Sequence, residues 1–157
     1  MNEHIDTFKA TVTAVCAALT ALWGWFGWLC LLWLGVMALD YATGSAAALR
    51  AGEWSSKAAR DGIWHKLGSI VAVLVAGVLD ILIGVILNNI PGLSLPFEYK
   101  VFFAPVVVVW YILTECGSIV ENVGGLGSRT PKWLAKAFAA LQDKVDDTMD
   151  PSDKDAD

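Results

Sequence analysis

The sequence predicts an all-α integral membrane protein with three transmembrane helices, flanked by an amphipathic helix at each end. Composition is the first reason, because 56% of the 157 residues are hydrophobic and 17% are charged, whereas soluble domains carry about 25% charged residues. The mean hydropathy of +0.55 points the same way. The third reason is the presence of three long apolar runs, each able to cross a bilayer as a helix.

The charge distribution excludes several classes of function. The net charge is -5, but seven of the 16 acidic residues lie in 143–157, and the rest of the chain is balanced. No basic field of the kind that binds nucleic acid is present.

The three cysteines form no CxxC pair and there are only two histidines, so we expect no disulfide framework, no metal site and no cofactor.

The first apolar run extends without a charge from Ala10 to Leu39. It is longer than the roughly 20 residues that one crossing needs and too short for two crossings with a turn. Apolar residues in its first part and just before it recur at spacings of three and four, as on one face of an amphipathic helix: Ile5, Phe8, Val12, Val15, Leu19 and Leu22. We therefore assign residues 1–21 to an amphipathic helix and about 22–39 to the first span, which places a tryptophan cluster at one end of that span.

The second and third spans are predicted at 67–90 and about 101–120, so that the membrane domain covers 22–120. Between Leu67 and Ile90 the only charged residue is Asp80, and a turn follows at Pro91. The third run has Glu115 towards its end. Its valine-rich part would suit a strand, but an isolated strand cannot satisfy its backbone in lipid, so a helix is expected.

The carboxyl-terminal region is predicted to hold a cytoplasmic amphipathic helix within 121–148, followed by a disordered acidic tail at 149–157. Thr130 and Pro131 are typical of a helix start. Lysine and arginine are concentrated in 41–66 and after the third span. The positive-inside rule then predicts an outside amino terminus and a cytoplasmic carboxyl terminus.

Asp80 is the most informative candidate for function, because a carboxylate this deep in a span is costly unless it faces protein or water. It belongs to a ridge of small and polar residues at a spacing of four: Gly68, Ala72, Ala76, Asp80, Gly84 and Asn88. Such a ridge can form an assembly seam or line a pore. The alternative is a contact within one chain, in which Asp80 is protonated or bonded to a neighbour.

Two other carboxylates have alternative interpretations. Glu115 could be an interfacial anchor or a buried group, and Asp40 could cap local amides or pair with Lys66.

No phosphate loop, nucleophile elbow or metalloprotease motif occurs in the sequence. We therefore expect a protein without catalytic residues, that is, not an enzyme.

Two stretches resemble the phage lysis and toxin-secretion holins, the family that includes the clostridial toxin-export holin. The first is Asp40-Tyr41-Ala42-Thr43-Gly44, followed by Ser55-Ser56-Lys57, Gly62 and Lys66. The second is Glu115-Cys116-Gly117-Ser118-Ile119-Val120-Glu121-Asn122, followed by Gly124-Gly125 and Pro131. With Asp80, the resemblance covers about residues 22–140.

The resemblance implies a non-enzymatic holin of the bacterial cytoplasmic membrane. Such a protein associates with membrane lipid, forms homo-oligomers, and permeabilises the membrane so that an endolysin or toxin passes. Its partnership with the endolysin is functional and involves no stable binding. The resemblance also allows an antiholin as a partner. A small-ion channel, an accessory membrane subunit of a secretion system and a membrane-anchoring module are the alternative functions.

Overall fold

The protein is described by a computed structural model over residues 2–90 and 99–149, which form four α-helices. These helices are α1 (Asn2–Ala51), α2 (Ser56–Asn89), α3 (Phe103–Gly125) and α4 (Lys132–Met149). Three segments are long and apolar enough to cross a membrane: Gly24–Ala51, Ser56–Asn89 and Phe103–Gly125. The all-helical class and the three apolar helices agree with the sequence prediction. The amphipathic character of the terminal helices stays a prediction.

A break divides α1 near the predicted start of the first span. At Gly24 the backbone has φ 56° and ψ -145°, which lies outside the helical region. Glycine adopts this conformation without the steric cost that a Cβ atom brings. The Trp28 indole donates a hydrogen bond of 2.7 Å to the Thr20 hydroxyl across the break. The helix that precedes the span can therefore leave the span's axis at this point.

The helices extend beyond the predicted spans because their ends depend on capping rather than on hydrophobicity. α2 begins at Ser56, where the Ser55 side chain accepts a hydrogen bond of 3.1 Å from the Ala58 amide. α1 continues past Asp40 to Ala51 and is followed by Gly52 at φ 73°. Both extensions carry polar residues. An apolar window thus indicates the part of a helix within lipid and not its full length.

The carboxyl-terminal region differs from the predicted division at 121. Residues 121–125 continue α3, and a turn with Gly127 at φ 85° leads to α4. The Arg50 guanidinium at the end of α1 donates to the Leu126 carbonyl in this turn. Met149 ends α4, and the rest of the predicted acidic tail, 150–157, lies outside the described residues.

α3 is the central helix of the bundle. It packs against α1, α2 and α4, whereas α1 and α2 touch each other very little. The buried apolar side chains at the centre are Trp33, Met37, Val73 and Val108. Trp33 stacks on Tyr111 of α3, with 5.9 Å between the ring centres. The bundle is therefore held together mainly through α3.

Candidate functional site

Asp80 forms a first polar contact between membrane-spanning helices. Its side chain is 2% exposed and meets the amino-terminal end of α3. The Phe102 and Phe103 amides donate to Oδ1 at 3.0 and 2.9 Å, and the Ala104 amide donates to Oδ2 at 2.8 Å. The Tyr99 hydroxyl also donates to Oδ1. The carboxylate thus accepts four hydrogen bonds within its own chain.

The local sequence of α3 explains why this helix needs an external acceptor. The first amides of any helix have no partner within the helix. Phe102 occupies the capping position and its side chain offers no hydrogen bond. Asp80 supplies both the missing acceptors and a negative charge at the positive end of the helix dipole. A carboxylate within one span therefore caps the start of the next span.

Tyr99 completes the contact from the segment that precedes α3. Partial burial and the hydrogen bond to Asp80 raise the pKa of Tyr99 to about 12. The phenol therefore stays protonated, and remains a donor, throughout the physiological pH range. Tyr99 carries no separate signal in the sequence, because its role depends on where the chain returns to α2.

The ridge predicted on α2 is only partly in contact with the rest of the chain. Ala76 and Asp80 are buried, Ala72 and Gly84 are half-buried, and Gly68 and Asn88 are exposed. The packed face of α2 consists of Ser69, Val73, Ala76 and Asp80, so towards the Ser69 end it lies one residue from the predicted ridge. The structure thus shows the intrachain contact for Asp80. The seam or pore-lining role of the ridge stays a prediction.

The second polar contact joins α1, α2 and α3 around Lys66. Its ammonium group donates to Asp40 Oδ2 at 3.0 Å and to Glu115 Oε2 at 2.6 Å. Asn122 Nδ2 donates to Asp40 Oδ1 at 3.0 Å and to the Thr43 hydroxyl at 3.3 Å. Each of the three spans therefore contributes to one network, which we call the Lys66 cluster (Asp40, Thr43, Lys66, Glu115 and Asn122).

Charge balance makes Lys66 the critical member of this cluster. One ammonium group lies between two carboxylates, and the three charged side chains are only 11–16% exposed to solvent. Removing the shared cation would leave two acids close together with little water to screen them. Glu115, at 8% exposure as a whole residue, is buried. Of the two interpretations of Glu115, the structure thus shows a buried group and not an interfacial anchor. Of the two interpretations of Asp40, it shows the ion pair with Lys66.

A groove of about 850 Å³ opens beside the Lys66 cluster. Ser118, Ser69 and Thr114 line it together with the charged residues. In residues 2–90 and 99–149, no group of three His, Cys, Asp or Glu side chains could hold a metal ion. The Lys66 cluster is an ion-pair and hydrogen-bond network that joins the three spans.

The structure also places the remaining residues of the two motifs. Gly44 faces Asn122 closely, because a Cβ atom added at Gly44 would lie 3.3 Å from Asn122 Nδ2. Glu121 is exposed on α3 and lies outside the cluster. Seven residues of the two motifs thus meet at or beside the Lys66 cluster: Asp40, Thr43, Gly44, Lys66, Glu115, Ser118 and Asn122.

The fold and these two contacts define a multi-pass helical membrane protein whose deep charges are paired or hydrogen-bonded within the chain. Residues 17–143 match the family model of the bacteriophage holin family. The chain belongs to the bacteriophage holin family.

Two uncharacterised bacterial proteins are similar to this chain in sequence. An uncharacterised protein of Halalkalibacterium halodurans is 30% identical over 134 residues, which cover 85% of this chain and 93% of the relative. An uncharacterised protein of Listeria innocua is 28% identical over 118 residues, which cover 75% of this chain and 74% of the relative. No solved structure matches the chain.

Proposed function

We propose that this chain is a holin that self-associates in the bacterial cytoplasmic membrane and opens a lesion through which an endolysin, or a toxin, leaves the cell. Membership of the bacteriophage holin family supports this proposal. The structural observation that carries it is the open arrangement of the bundle. α3 contacts every other helix, whereas α1 and α2 hardly meet.

The open arrangement leaves much of α2 available to other molecules. Of the 34 residues in α2, four are buried in the described part of the chain. A Cβ atom added at Gly68 or Gly84 would meet nothing within 4 Å there. Glycines on an open helix face allow a second helix to approach closely. These features favour association between copies of the chain, with lipid covering the same faces before assembly.

The two polar contacts explain how the chain could accumulate without damaging the membrane. Asp80 and Lys66 find their partners within one chain. A charged group that is paired inside the bundle has less need of water in the hydrocarbon region. The Asp80 and Lys66 contacts themselves therefore require no aqueous path. Lesion formation then depends on contacts between chains.

The orientation belongs to the same proposal. The excess of lysine and arginine in 41–66 and after the third span favours a cytoplasmic location for both segments. The amino terminus then lies outside, and α4 begins on the cytoplasmic side.

The test is to induce the chain in a bacterium that produces a cytosolic endolysin without a signal peptide. Membrane potential and culture density are recorded together at matched expression. Sudden depolarisation followed by endolysin-dependent lysis is the expected result. Depolarisation without endolysin release would replace the holin proposal with a small-ion channel. Absence of depolarisation, with the protein verified in the membrane, would favour an accessory or anchoring role.

A further inference from the structure

α4 lies beside α3, although six of its 18 residues are charged. The chain reverses direction after Gly125, so that α4 runs antiparallel to α3. Gln142 Nε2 donates a hydrogen bond of 3.0 Å to the Thr114 hydroxyl. Val145, Asp146 and Met149 line a cavity of about 300 Å³ with residues of α3 that include Phe103. α4 therefore lies along α3 over most of its length.

The second half of α4 reaches the depth of the hydrocarbon core. The stretch of α3 between Phe103 and Thr114 carries no charge and covers about 16 Å at a rise of 1.5 Å per residue. Phe103 is hydrogen-bonded to Asp80. Along α2, Asp80 lies about 21 Å from Lys66 and about 12 Å from Asn88. The contacts of Val145 and Met149 with this part of α3 therefore lie well inside the membrane.

The outward face of α4 is charged at this depth. Partly buried positions recur every three or four residues and define the side towards α3: Leu134, Phe138, Gln142 and Val145. Asp143 and Lys144, in the second half of α4, are exposed. Charged side chains within a membrane are tolerated where they face water or a polar partner, and not where they face lipid tails. The charged face of α4 therefore requires water in the arrangement that the structure describes.

We infer that α4 forms part of the wall of the lesion, with its apolar face on α3 and its charged face towards the aqueous interior. This inference rests on the proposed holin function, which supplies the water-filled space. In this arrangement, α4 separates the other helices from that water. Before assembly, α4 would leave α3 for the cytoplasmic surface of the membrane, because lipid would otherwise surround its charges.

A cross-link between α3 and α4 tests this arrangement. The three natural cysteines are first replaced by serine, and Thr114→Cys and Gln142→Cys are introduced together. The purified protein is inserted into vesicles of phosphatidylethanolamine and phosphatidylglycerol that contain a fluorescent dye. A short bis-maleimide joins the two cysteines after insertion. Each single-cysteine variant treated in the same way is the matched control.

The cross-linked protein is expected to release dye to at least half the extent of the untreated protein. Dye release that stops on cross-linking, but persists in both single-cysteine controls, would overturn the inference and leave the holin proposal intact. A lack of dye release from the untreated cysteine-free protein, and also from the natural sequence, would count against the holin proposal itself.

Ion selectivity provides a second measurement on the same vesicles. Lys144→Glu changes a charge that faces the lesion, and Arg60→Glu makes the same change on the exposed, polar start of α2. At about 10 mM salt, where the Debye length is about 30 Å, Lys144→Glu is expected to raise the permeability ratio of potassium to chloride at least twofold, with little change for Arg60→Glu. Equal ratios for the two variants would contradict the placement of α4 in the wall.

Discussion

Substitution of Asp80 by leucine tests whether this carboxylate holds α3 in place. The variant loses the acceptor for the amides of Phe102, Phe103 and Ala104. Hydrogen bonds to a charged group contribute about 1.5–3 kcal/mol each, so three bonds supply about 5–9 kcal/mol. Placing a carboxylate in a span costs about 3 kcal/mol, which leucine avoids. The expected net loss in the free energy of unfolding is therefore about 2–6 kcal/mol.

Two further variants make the test specific. Asp80→Asn keeps one carbonyl oxygen as an acceptor but cannot serve all the amide donors, so its loss should fall between zero and that of Asp80→Leu. Asn88→Leu alters the same predicted ridge at an exposed position, away from the start of α3. Its effect on stability should stay within about 0.5 kcal/mol, as for most surface substitutions.

The assay is unfolding of the purified protein by SDS in mixed micelles, followed by tryptophan fluorescence, together with the onset of lysis at matched expression. Asp80→Leu should unfold at a lower SDS fraction and delay or abolish lysis. An unchanged unfolding midpoint together with unchanged lysis timing would refute the capping argument. Delayed lysis in Asn88→Leu, at unchanged stability, would instead identify the ridge as the contact between chains.

The remaining predictions concern the Lys66 cluster and Tyr99. Lys66→Met should lower the SDS-unfolding free energy by about 2–4 kcal/mol, below the full range for breaking a buried pair because the side chains keep some exposure; adding Glu115→Gln should recover part of the loss, and no recovery would argue against charge repulsion. Gly44→Leu should cost about 1–3 kcal/mol by forcing α1 away from α3, whereas Gly35→Leu on the same helix, with nothing within 4 Å in the described chain, should not; equal losses would contradict the close approach. The pKa of Tyr99 rises from 10.0 to about 12 on folding, so its contribution is complete below pH 10 and disappears as pH rises towards 12; Tyr99→Phe should remove this part of the pH dependence of unfolding, and identical slopes would contradict it.

The sequence predicted the membrane-spanning helices well because the hydrophobic effect acts on local composition. It could not predict where the helices end, since Ser55 extends α2 by capping and not by hydrophobicity. The predicted boundary between the membrane domain and the carboxyl-terminal region was at residue 121, whereas α3 continues to Gly125. The residues after the third apolar run are polar enough to leave lipid, yet nothing in them stops a helix before the glycines.

The polar contacts were predictable in part. The motif residues of the Lys66 cluster could be named from the resemblance, and the pairing of Asp40 with Lys66 was one of the alternatives considered. The partners of Asp80 were not predicted, because three of the four are main-chain amides, which every residue except proline carries. One sequence signal was available. The start of α3 has a phenylalanine where a serine, threonine, aspartate or asparagine usually caps a helix, so an acceptor from elsewhere was needed.

The central position of α3 has a consequence for biosynthesis. A ribosome completes α1 and α2 before α3, and these two helices share little surface with each other. They therefore enter the bilayer as separate helices. Asp80 at that stage lacks the amides at the start of α3 that it later caps. Tertiary structure can form only after the third span leaves the translocon. A nascent chain that stops at residue 90 should consequently be a substrate for membrane proteases, and the cell obtains a stable bundle only from chains translated through α3.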